Sequence, residues 1–391
     1  MNVTTDSRKV TSGSVFVALK GEHFDGNDFV EQAKAQGAAY VICGENALQE
    51  LQDLARAWRR ELGLPIIGIT GTNGKTTTKE LCAAVLGTKY KLYYTQGNLN
   101  NQLGVPLTLL NITRAHEMAI VEMGASHPGD IKELVDIAEP NYGLITNVGK
   151  AHLQGFGSFE GVMRTKAELY DFLRVHGGTI FRNADNPYLE KMLGDLGSLE
   201  SLGRLVSYHT GTMPEGTHLV GGYNAENVSA ALCVGAYFGV SEEAALAAIR
   251  AYVPSNNRSQ LMQTEKNTVI VDAYNANPTS MTAAIEAFSH RNTDRFTDRI
   301  QNTDCYILGA MRELGEYSHL EHQNIVNMLL ERKADKVLLV GEEYKQTTAP
   351  YPVFDNIEAL YAHLLQAPIS GCTILLKGSR SNQMEKILPL L

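Results

Sequence analysis

The chain has 391 residues, with 34 Lys and Arg against 43 Asp and Glu and a formal net charge of -9. At roughly 150 residues per domain, that length suggests two or three domains, with a core large enough to need no metal or disulfide staple. The acidic balance excludes a dedicated nucleic-acid binder. The absence of an apolar run of about 18 residues excludes a membrane span.

Five cysteines, at 43, 82, 233, 305 and 372, are odd in number and form no CxxC pair. That is the pattern of a reduced protein rather than a disulfide scaffold. The first ten residues lack the apolar stretch of a signal peptide, so the expected location is cytoplasmic.

Residues 1–63 read as a small α/β unit. Apolar runs at 15–19 and 40–43 predict strands, helical patterns cover 28–36 and 46–62, and Pro65 marks a boundary. Trp58, the single Trp, lies on the second helix and is expected to pack between domains. Residues 64–256 form the next unit. Ile66-Ile-Gly-Ile-Thr70 predicts a buried strand, 77–86 a helix, and 118–122 and 143–147 further strands, with Tyr93 and Tyr94 as core strand residues. Strands alternating with helices imply a parallel sheet covered on both faces. A linker at 254–259, with hinge candidates over 254–260, leads into a third unit, 257–391. There strands at 268–272, 304–309, 336–340 and 372–376 alternate with helices at 279–289, 319–333, 356–366 and 380–388, a doubly wound pattern. Residues 291–304 read as a surface loop. His319 and His322, three apart on one helix, read as a solvated or capping face rather than a metal site.

Gly71-Thr72-Asn73-Gly74-Lys75-Thr76 is the strongest local signal. It follows an apolar strand and opens a helix. Glycines let backbone N–H groups turn toward phosphate oxygens, and the helix N-terminus favours negative charge. Lys75 would neutralise phosphate charge, and the Thr76 hydroxyl would face Mg²⁺. The loop is shorter than the common form, which has Gly where this chain has Ile69. Glu122 ends a predicted strand, and ligands of parallel sheets bind beyond the carboxyl ends of strands. That places Glu122 and Thr76 on one edge. His152 follows the next strand and reads equally as a metal ligand or a hydrogen-bonded loop residue. Lys166 lies on a predicted helix, where position alone gives a solvated amphipathic face.

The short loop resembles the signature of the Mur ligase and folylpolyglutamate synthase families, which activate a carboxylate as an acyl phosphate and couple it to an amine. Four further segments narrow the resemblance to the Mur ligases and, within them, to the dipeptide-adding members. They are Gly97-Asn-Leu-Asn-Asn-Gln-Leu-Gly-Val-Pro106, Ala151-His-Leu-Gln-Gly-Phe-Gly-Ser158, Asp272-Ala-Tyr-Asn-Ala-Asn-Pro278 and Lys377-Gly-Ser-Arg380. Thr5-Asp-Ser-Arg-Lys-Val10 resembles the family's uridine-nucleotide unit. The resemblance implies an α/β chain of three domains: a small N-terminal UDP-sugar domain, a central ATPase-like parallel sheet and a C-terminal Rossmann-like ligase domain. It implies attachment of D-Ala-D-Ala to UDP-N-acetylmuramoyl-tripeptide in peptidoglycan precursor synthesis, with ATP and two Mg²⁺ sites, by a monomer.

The same resemblance assigns roles. Lys75, Glu122, His152 and Lys166 are catalytic, and Thr76, Glu122, His152 and a carbamate on Lys166 hold metal. Gly71 to Thr77, Asn224, Asn227, Arg258, Asp272 and Asn275 bind ATP. Ser7, Arg8, Asn100, Asn101, Lys377, Ser379 and Arg380 bind substrate. Four departures accompany it. The chain begins almost at the Thr-Asp-Ser-Arg motif, so a looser uridine pocket is expected. The stretch 207–220 is short. Ala310 stands where the family usually has Asp, and Ser126 where Asn is usual. The reading favours tolerated drift for each. The alternatives are a folylpolyglutamate synthase-like ligase and a nucleotide-binding homologue with weak catalysis.

Overall fold

The computed structural model describes residues 2–21, 24–194, 204–254, 258–289 and 303–391. Most of the 291–304 loop, and residues 255–257 of the linker, lie outside them. Three sheets organise the chain. The first is parallel, with strands β1 (Val3–Thr4), β2 (Val15–Val17) and β3 (Tyr40–Ile42), and helices α1 (Val30–Ala35) and α2 (Ala47–Leu62).

The second sheet carries the phosphate loop. In chain order its elements are β4 (Ile66–Thr70), α3 (Lys75–Leu86), β5 (Leu92–Tyr94), α4 (Gly104–Leu110), β6 (Met118–Glu122), α5 (Asp130–Ala138) and β7 (Tyr142–Ile145). There follow α6 (Leu153–Phe156), α7 (Phe159–His176), β8 (Thr179–Asn183), α8 (Pro187–Leu193), β9 (Leu205–Tyr208), α9 (Asn224–Tyr237) and α10 (Glu242–Ala251). The strand order is β5-β6-β4-β7-β8-β9, all parallel. All five residues of β4 and of β6 are buried. Central parallel strands are covered on both faces, which is why they read as unbroken apolar runs. The chain reverses direction across the sheet beside β4, so β4, β6 and β7 together open a crevice at their carboxyl ends.

The third sheet has β10 (Gln260–Gln263), β11 (Thr268–Asp272), β12 (Thr303–Gly309), β13 (Lys336–Val340), β14 (Val353–Phe354) and β15 (Cys372–Lys377), in the order β10-β11-β15-β12-β13-β14. Only β10 runs antiparallel. Its helices are α11 (Pro278–Ser289), α12 (Ser318–Glu331), α13 (Glu342–Lys345) and α14 (Ile357–Gln366). The expected helix over 380–388 is instead two 3₁₀ turns, Arg380–Asn382 and Met384–Leu390. Gln383 between them has φ +51 and Pro389 sits inside the second. A left-handed residue and a missing N–H donor both interrupt an α-helix.

The core crosses position 63. Leu51 and Ala55 of α2 pack in one cluster with Leu109, Ile131 and Leu134 of the central unit. Arg59 of α2, itself buried, donates to the carbonyls of Ala138 and Glu139 and to Asn141 Oδ1. Trp58 Nε1 donates to the Ile112 carbonyl at 2.9 Å, so it packs across this junction as expected. The third unit has clusters of its own, one on each face of its sheet. The five cysteines are free. Among the described residues no helix is long and apolar enough to cross a membrane.

Candidate active site

A cavity of about 620 Å³ lies over the carboxyl ends of β4 and β6 and is walled on the far side by the third unit. Its floor is the phosphate loop. Gly71 has φ +147 and Gly74 φ +78. A Cβ on Gly71 would collide with Thr146 Oγ1, and one on Gly74 with Asn227 Oδ1. Both conformation and space therefore demand glycine. The loop is pinned from β7: Thr146 Oγ1 donates to the Asn73 carbonyl at 2.6 Å, and the Thr72 and Asn73 N–H groups donate to the Asn147 carbonyl and Oδ1. The helix expected at 77–86 begins two residues earlier, at Lys75, so Lys75 and Thr76 sit in its first turn.

Lys75 Nζ folds back onto the carbonyls of Gly71 (2.8 Å) and Thr72 (3.1 Å). Burial lowers its pKa, with Glu122 opposing and Arg258 adding to the shift. Thr76 Oγ1 donates to Glu122 Oε1 at 3.2 Å, and Asn100 Nδ2 donates to the same oxygen at 2.8 Å. Glu122 Oε2 is buried without a hydrogen-bond partner; its nearest counter-charge is Lys79 Nζ, 3.6 Å away. A buried carboxylate oxygen left unpaired beside a hydroxyl is a donor set that suits a hard cation such as Mg²⁺. Among the described residues no three His, Cys, Asp or Glu side chains cluster as a metal site. The fit therefore rests on Glu122 and the Thr76 hydroxyl.

His152 is the residue before α6, at φ +50, and lines the cavity. Its Nδ1 pairs with Glu313 of the third unit. Burial lowers its pKa, Glu313 opposes, and Lys75 and Lys166 lower it further. Lys166 is not solvated: it is 3% exposed. Burial first and Lys75 second push its pKa well below the ordinary range. Lys75 and His152 line the cavity, whereas Lys166 lies outside its lining, near enough for its charge to be felt at His152.

Asn227 Nδ2 donates to Asn224 Oδ1, and Thr78 Oγ1 to Asn227 Oδ1, fixing both amides. The Arg258 guanidinium stacks 3.6 Å from the Tyr274 ring centroid. Asp272 and Lys377, on adjacent strands β11 and β15, pair at 2.6 Å inside the cavity. Thr77, Asn100, Asn101 and Asn275 also line it. Ser379 does not: it is buried, its hydroxyl turned to the Ala276 carbonyl. Arg380 stands outside the lining, 5.2 Å from the Tyr274 ring. Ser7 and Arg8 lie on the first unit, outside this cavity, with Arg8 exposed and paired to Asp6. Ala310 is fully buried in the apolar core, so position 310 does not face the cavity. Ser126 lines the cavity and its N–H donates to Asp130 Oδ2.

Sequence reasoning missed several neighbours. Lys79 is buried and donates to the Thr95 carbonyl at 2.8 Å beside Glu122. Its spacing of three from Thr76 was the available signal, since both fall on one helix face. Thr279 and Glu313 carried no local signal, because their partners lie more than a hundred residues away; Asn277 belongs to the Asp272–Pro278 segment, whose residues Tyr274 to Asn277 the resemblance had placed at the strand end that closes onto ATP. Asn277 Nδ2 donates to Asn73 Oδ1 at 2.8 Å, bringing the third unit directly onto the phosphate loop. His322 is neither solvated nor capping: it is fully buried, with Nε2 accepting from the Met311 N–H.

With this geometry in place, comparison with known proteins is decisive. Three family models cover most of the chain: Mur ligase family, catalytic domain, over 1–84; Mur ligase middle domain over 69–201; and Mur ligase, glutamate ligase domain, over 257–380. The chain belongs to the Mur ligase family. The UDP-N-acetylmuramoyl-tripeptide–D-alanyl-D-alanine ligase of Bacillus subtilis is 36% identical over 99% of this chain and 92% of its own length. A crystal structure of MurF from Acinetobacter baumannii superposes with a TM-score of 0.84 at 28% identity, covering 99% of this chain and 92% of its own. The MurF ligase of Thermotoga maritima in complex with ADP also gives 0.84, at 27% identity and 100% and 96% coverage. The three-unit α/β architecture is that of these Mur ligases.

Proposed function

We propose that this Mur ligase joins D-Ala-D-Ala to UDP-N-acetylmuramoyl-tripeptide at the expense of ATP, in peptidoglycan precursor synthesis. Full-length similarity to enzymes named for that reaction supports it over the folate-type alternative. The observation that carries the chemistry is the Thr76–Glu122 contact at the mouth of the glycine loop, in a cavity completed by Asp272, Asn277 and Lys377. Three units, 1–63, 64–256 and 257–391, divide the work between uridine nucleotide, ATP and dipeptide. The proposal takes the enzyme to act as a monomer. Free thiols and ATP use suit the cytoplasm.

ATP lies with its phosphates on the N–H groups of residues 71–76 and its adenine toward Asn224 and Asn227. Arg258, Asp272 and Asn275 hold its ribose and phosphates from the third unit. Thr76, Glu122 and His152, with Lys166 as its carbamate, would hold Mg²⁺, which would neutralise phosphate charge and orient the γ-phosphoryl group. The tripeptide carboxylate oxygen attacks the γ-phosphorus, the bond to the β-phosphate oxygen breaks, and ADP leaves. Lys75 leaves its carbonyl partners to meet charge spreading onto the phosphoryl oxygens. The neutral dipeptide amine then attacks the acyl carbon, phosphate leaves with the C–O bond electrons, and the nitrogen gives up one proton to water as the amide forms. Contacts from the third unit exclude water from the acyl phosphate and hold the amine close. Lys377 faces the dipeptide carboxylate, with Ser379 and Arg380 shaping that end and Asn100 and Asn101 flanking the tripeptide. Ser7 and Arg8 receive the uridine nucleotide. Lys166, buried and held neutral, adds its nitrogen to CO₂ and releases a proton, becoming an anionic oxygen ligand.

The test is phosphate release from ATP with Mg²⁺, UDP-N-acetylmuramoyl-tripeptide and D-Ala-D-Ala, omitting each acceptor in turn, with Lys75→Ala as control. Release that needs both acceptors, lost in the control, is expected. Release independent of the muropeptide in folded protein overturns the reading and favours the nucleotide-binding alternative.

A further inference from the structure

The segment between β7 and α6, residues 146–152, has no regular structure and touches two partners at once. On one side it grips the phosphate loop. Besides the Asn147 contacts, the Gly149 N–H donates to Thr72 Oγ1 at 2.9 Å, and that hydroxyl donates back to the Gly149 carbonyl at 3.3 Å. On the other side it docks on the third unit. The Lys150 N–H donates to Thr279 Oγ1 at 2.9 Å, and Lys150 Nζ donates to Glu321 Oε1 at 2.7 Å. A side chain at Gly149 would strike the Thr279 side chain, so the Gly149 backbone packs directly against that side chain of the third unit. Just beyond, the Gln154 N–H donates to the Glu313 carbonyl at 3.2 Å.

The Lys150–Glu321 pair differs from the other ion pairs of the surface. The Glu321 side chain is only 6% exposed, against 50% for Lys150. Its second oxygen receives a single long bond, 3.3 Å from Asn324 Nδ2. A carboxylate that far out of water depends on its cation, and that cation comes from the other unit. If the units separate, Glu321 loses its counter-charge while Lys150 regains water, so the pair favours the docked arrangement.

We propose that Lys150 and Glu321 are positioning residues that latch the third unit onto the phosphate-loop segment, setting the arrangement in which the dipeptide subsite is complete. This rests on the ligase reading above. The latch touches neither nucleotide nor dipeptide. Weakening it lowers the fraction of molecules competent to bind the dipeptide, and apparent affinity falls by that fraction.

The experiment uses the full chain. Steady-state kinetics with varied D-Ala-D-Ala, and small-angle scattering with a non-hydrolysable ATP analogue, compare wild type, Lys150→Met, Lys150→Glu and Lys150→Glu/Glu321→Lys. The expected result is a KM for the dipeptide raised about tenfold in Lys150→Glu, with kcat within about twofold and a larger radius of gyration. The charge-exchanged double variant recovers both. A purely structural role would not yield that split or that recovery. Single variants with wild-type KM and scattering overturn the proposal, as does a folded double variant no better than Lys150→Glu. If Glu321→Lys harms folding, Lys150→Met decides alone. A wild type that does not turn over the dipeptide, yet compacts with the analogue in a Lys150-dependent way, sinks the ligase reading and leaves the latch standing.

Discussion

Glu122 and its neighbour Lys79 have opposite duties. The Glu122 carboxylate is oriented by Thr76 and Asn100 and keeps one oxygen free of hydrogen bonds. Lys79 is 1% exposed, donates to the Thr95 carbonyl and supplies the nearest positive charge. Glu122→Gln keeps the volume and removes the charge that would hold a cation. We expect kcat to fall at least a hundredfold, with a urea midpoint lowered less than in the Lys79 variant below, because Lys79 Nζ keeps its Thr95 carbonyl acceptor. Lys79→Met keeps the apolar stem but strips a buried carboxylate of its counter-ion. It is expected to destabilise by about 3 kcal/mol, read from urea unfolding. Equal stability losses in both variants would show that Glu122 is a structural partner of Lys79 rather than a ligand-facing group. The glycine loop, Glu122 and His152 were legible because their chemistry sits at strand ends, where a parallel sheet places its ligands. Lys79 was not, since a lysine in a helix gives no sign of its burial.

Four interior strands, Ile66–Thr70, Met118–Glu122, Thr268–Asp272 and Lys336–Val340, were legible to the residue because each is built on a run of apolar residues, whereas β7, β12 and β15 differ by one or two residues from the expected 143–147, 304–309 and 372–376. Burial on both faces writes itself into composition. The short edge strands β9, β10 and β14 bury only part of their residues, and that weak signal merges with the loops. Helix α12 shows the same limit. Its periodicity was clear, but burial of His322 depends on β12 and α13 closing over it. His322 Nδ1 donates to the Ser318 carbonyl at 2.7 Å, Nε2 accepts from the Met311 N–H at 3.0 Å, and the ring meets the Tyr344 edge. This fixes the neutral tautomer, and burial holds the pKa below its ordinary 6.5. The folded state therefore binds this proton less readily than the unfolded one. The contribution is complete above the unfolded pKa and is lost as pH falls toward the folded pKa, by up to about 1.4 kcal/mol per pH unit. In His322→Gln, unfolding free energy between about pH 7 and 5 should fall less steeply than in wild type. Parallel pH dependences would place the His322 pKa at its ordinary value.

At the scale of the whole molecule, sequence breaks and energetic breaks differ. Pro65 and the change of pattern mark position 63 as a boundary. Yet α2 shares its apolar cluster with α4 and α5, and Arg59 bridges the junction by four hydrogen bonds to Ala138, Glu139 and Asn141. The first unit's other cluster is small, built on Val10, Phe16, Ala18 and Ala33. That is too little apolar surface to stand alone, since small domains bury the least of their chain. The third unit has two clusters of its own and meets the central unit through polar contacts such as Lys150–Glu321 and Asn277–Asn73, with single apolar contacts where Val220 packs on its core and Tyr317 on the central one. Polar contacts of this kind couple domains weakly. Calorimetry of the full chain should therefore resolve two transitions, one for the first and central units together and one for the third. Arg59→Met leaves buried carbonyls without donors, a cost of about 1–3 kcal/mol. It should lower the first transition and leave the second in place. On the binding mode proposed above an ATP analogue would contact both units, and it should draw the transitions together. Three transitions, or an Arg59→Met shift confined to a melt of residues 1–63 alone, would mean that α2 belongs energetically to the first unit and that the shared core is not a cooperative one.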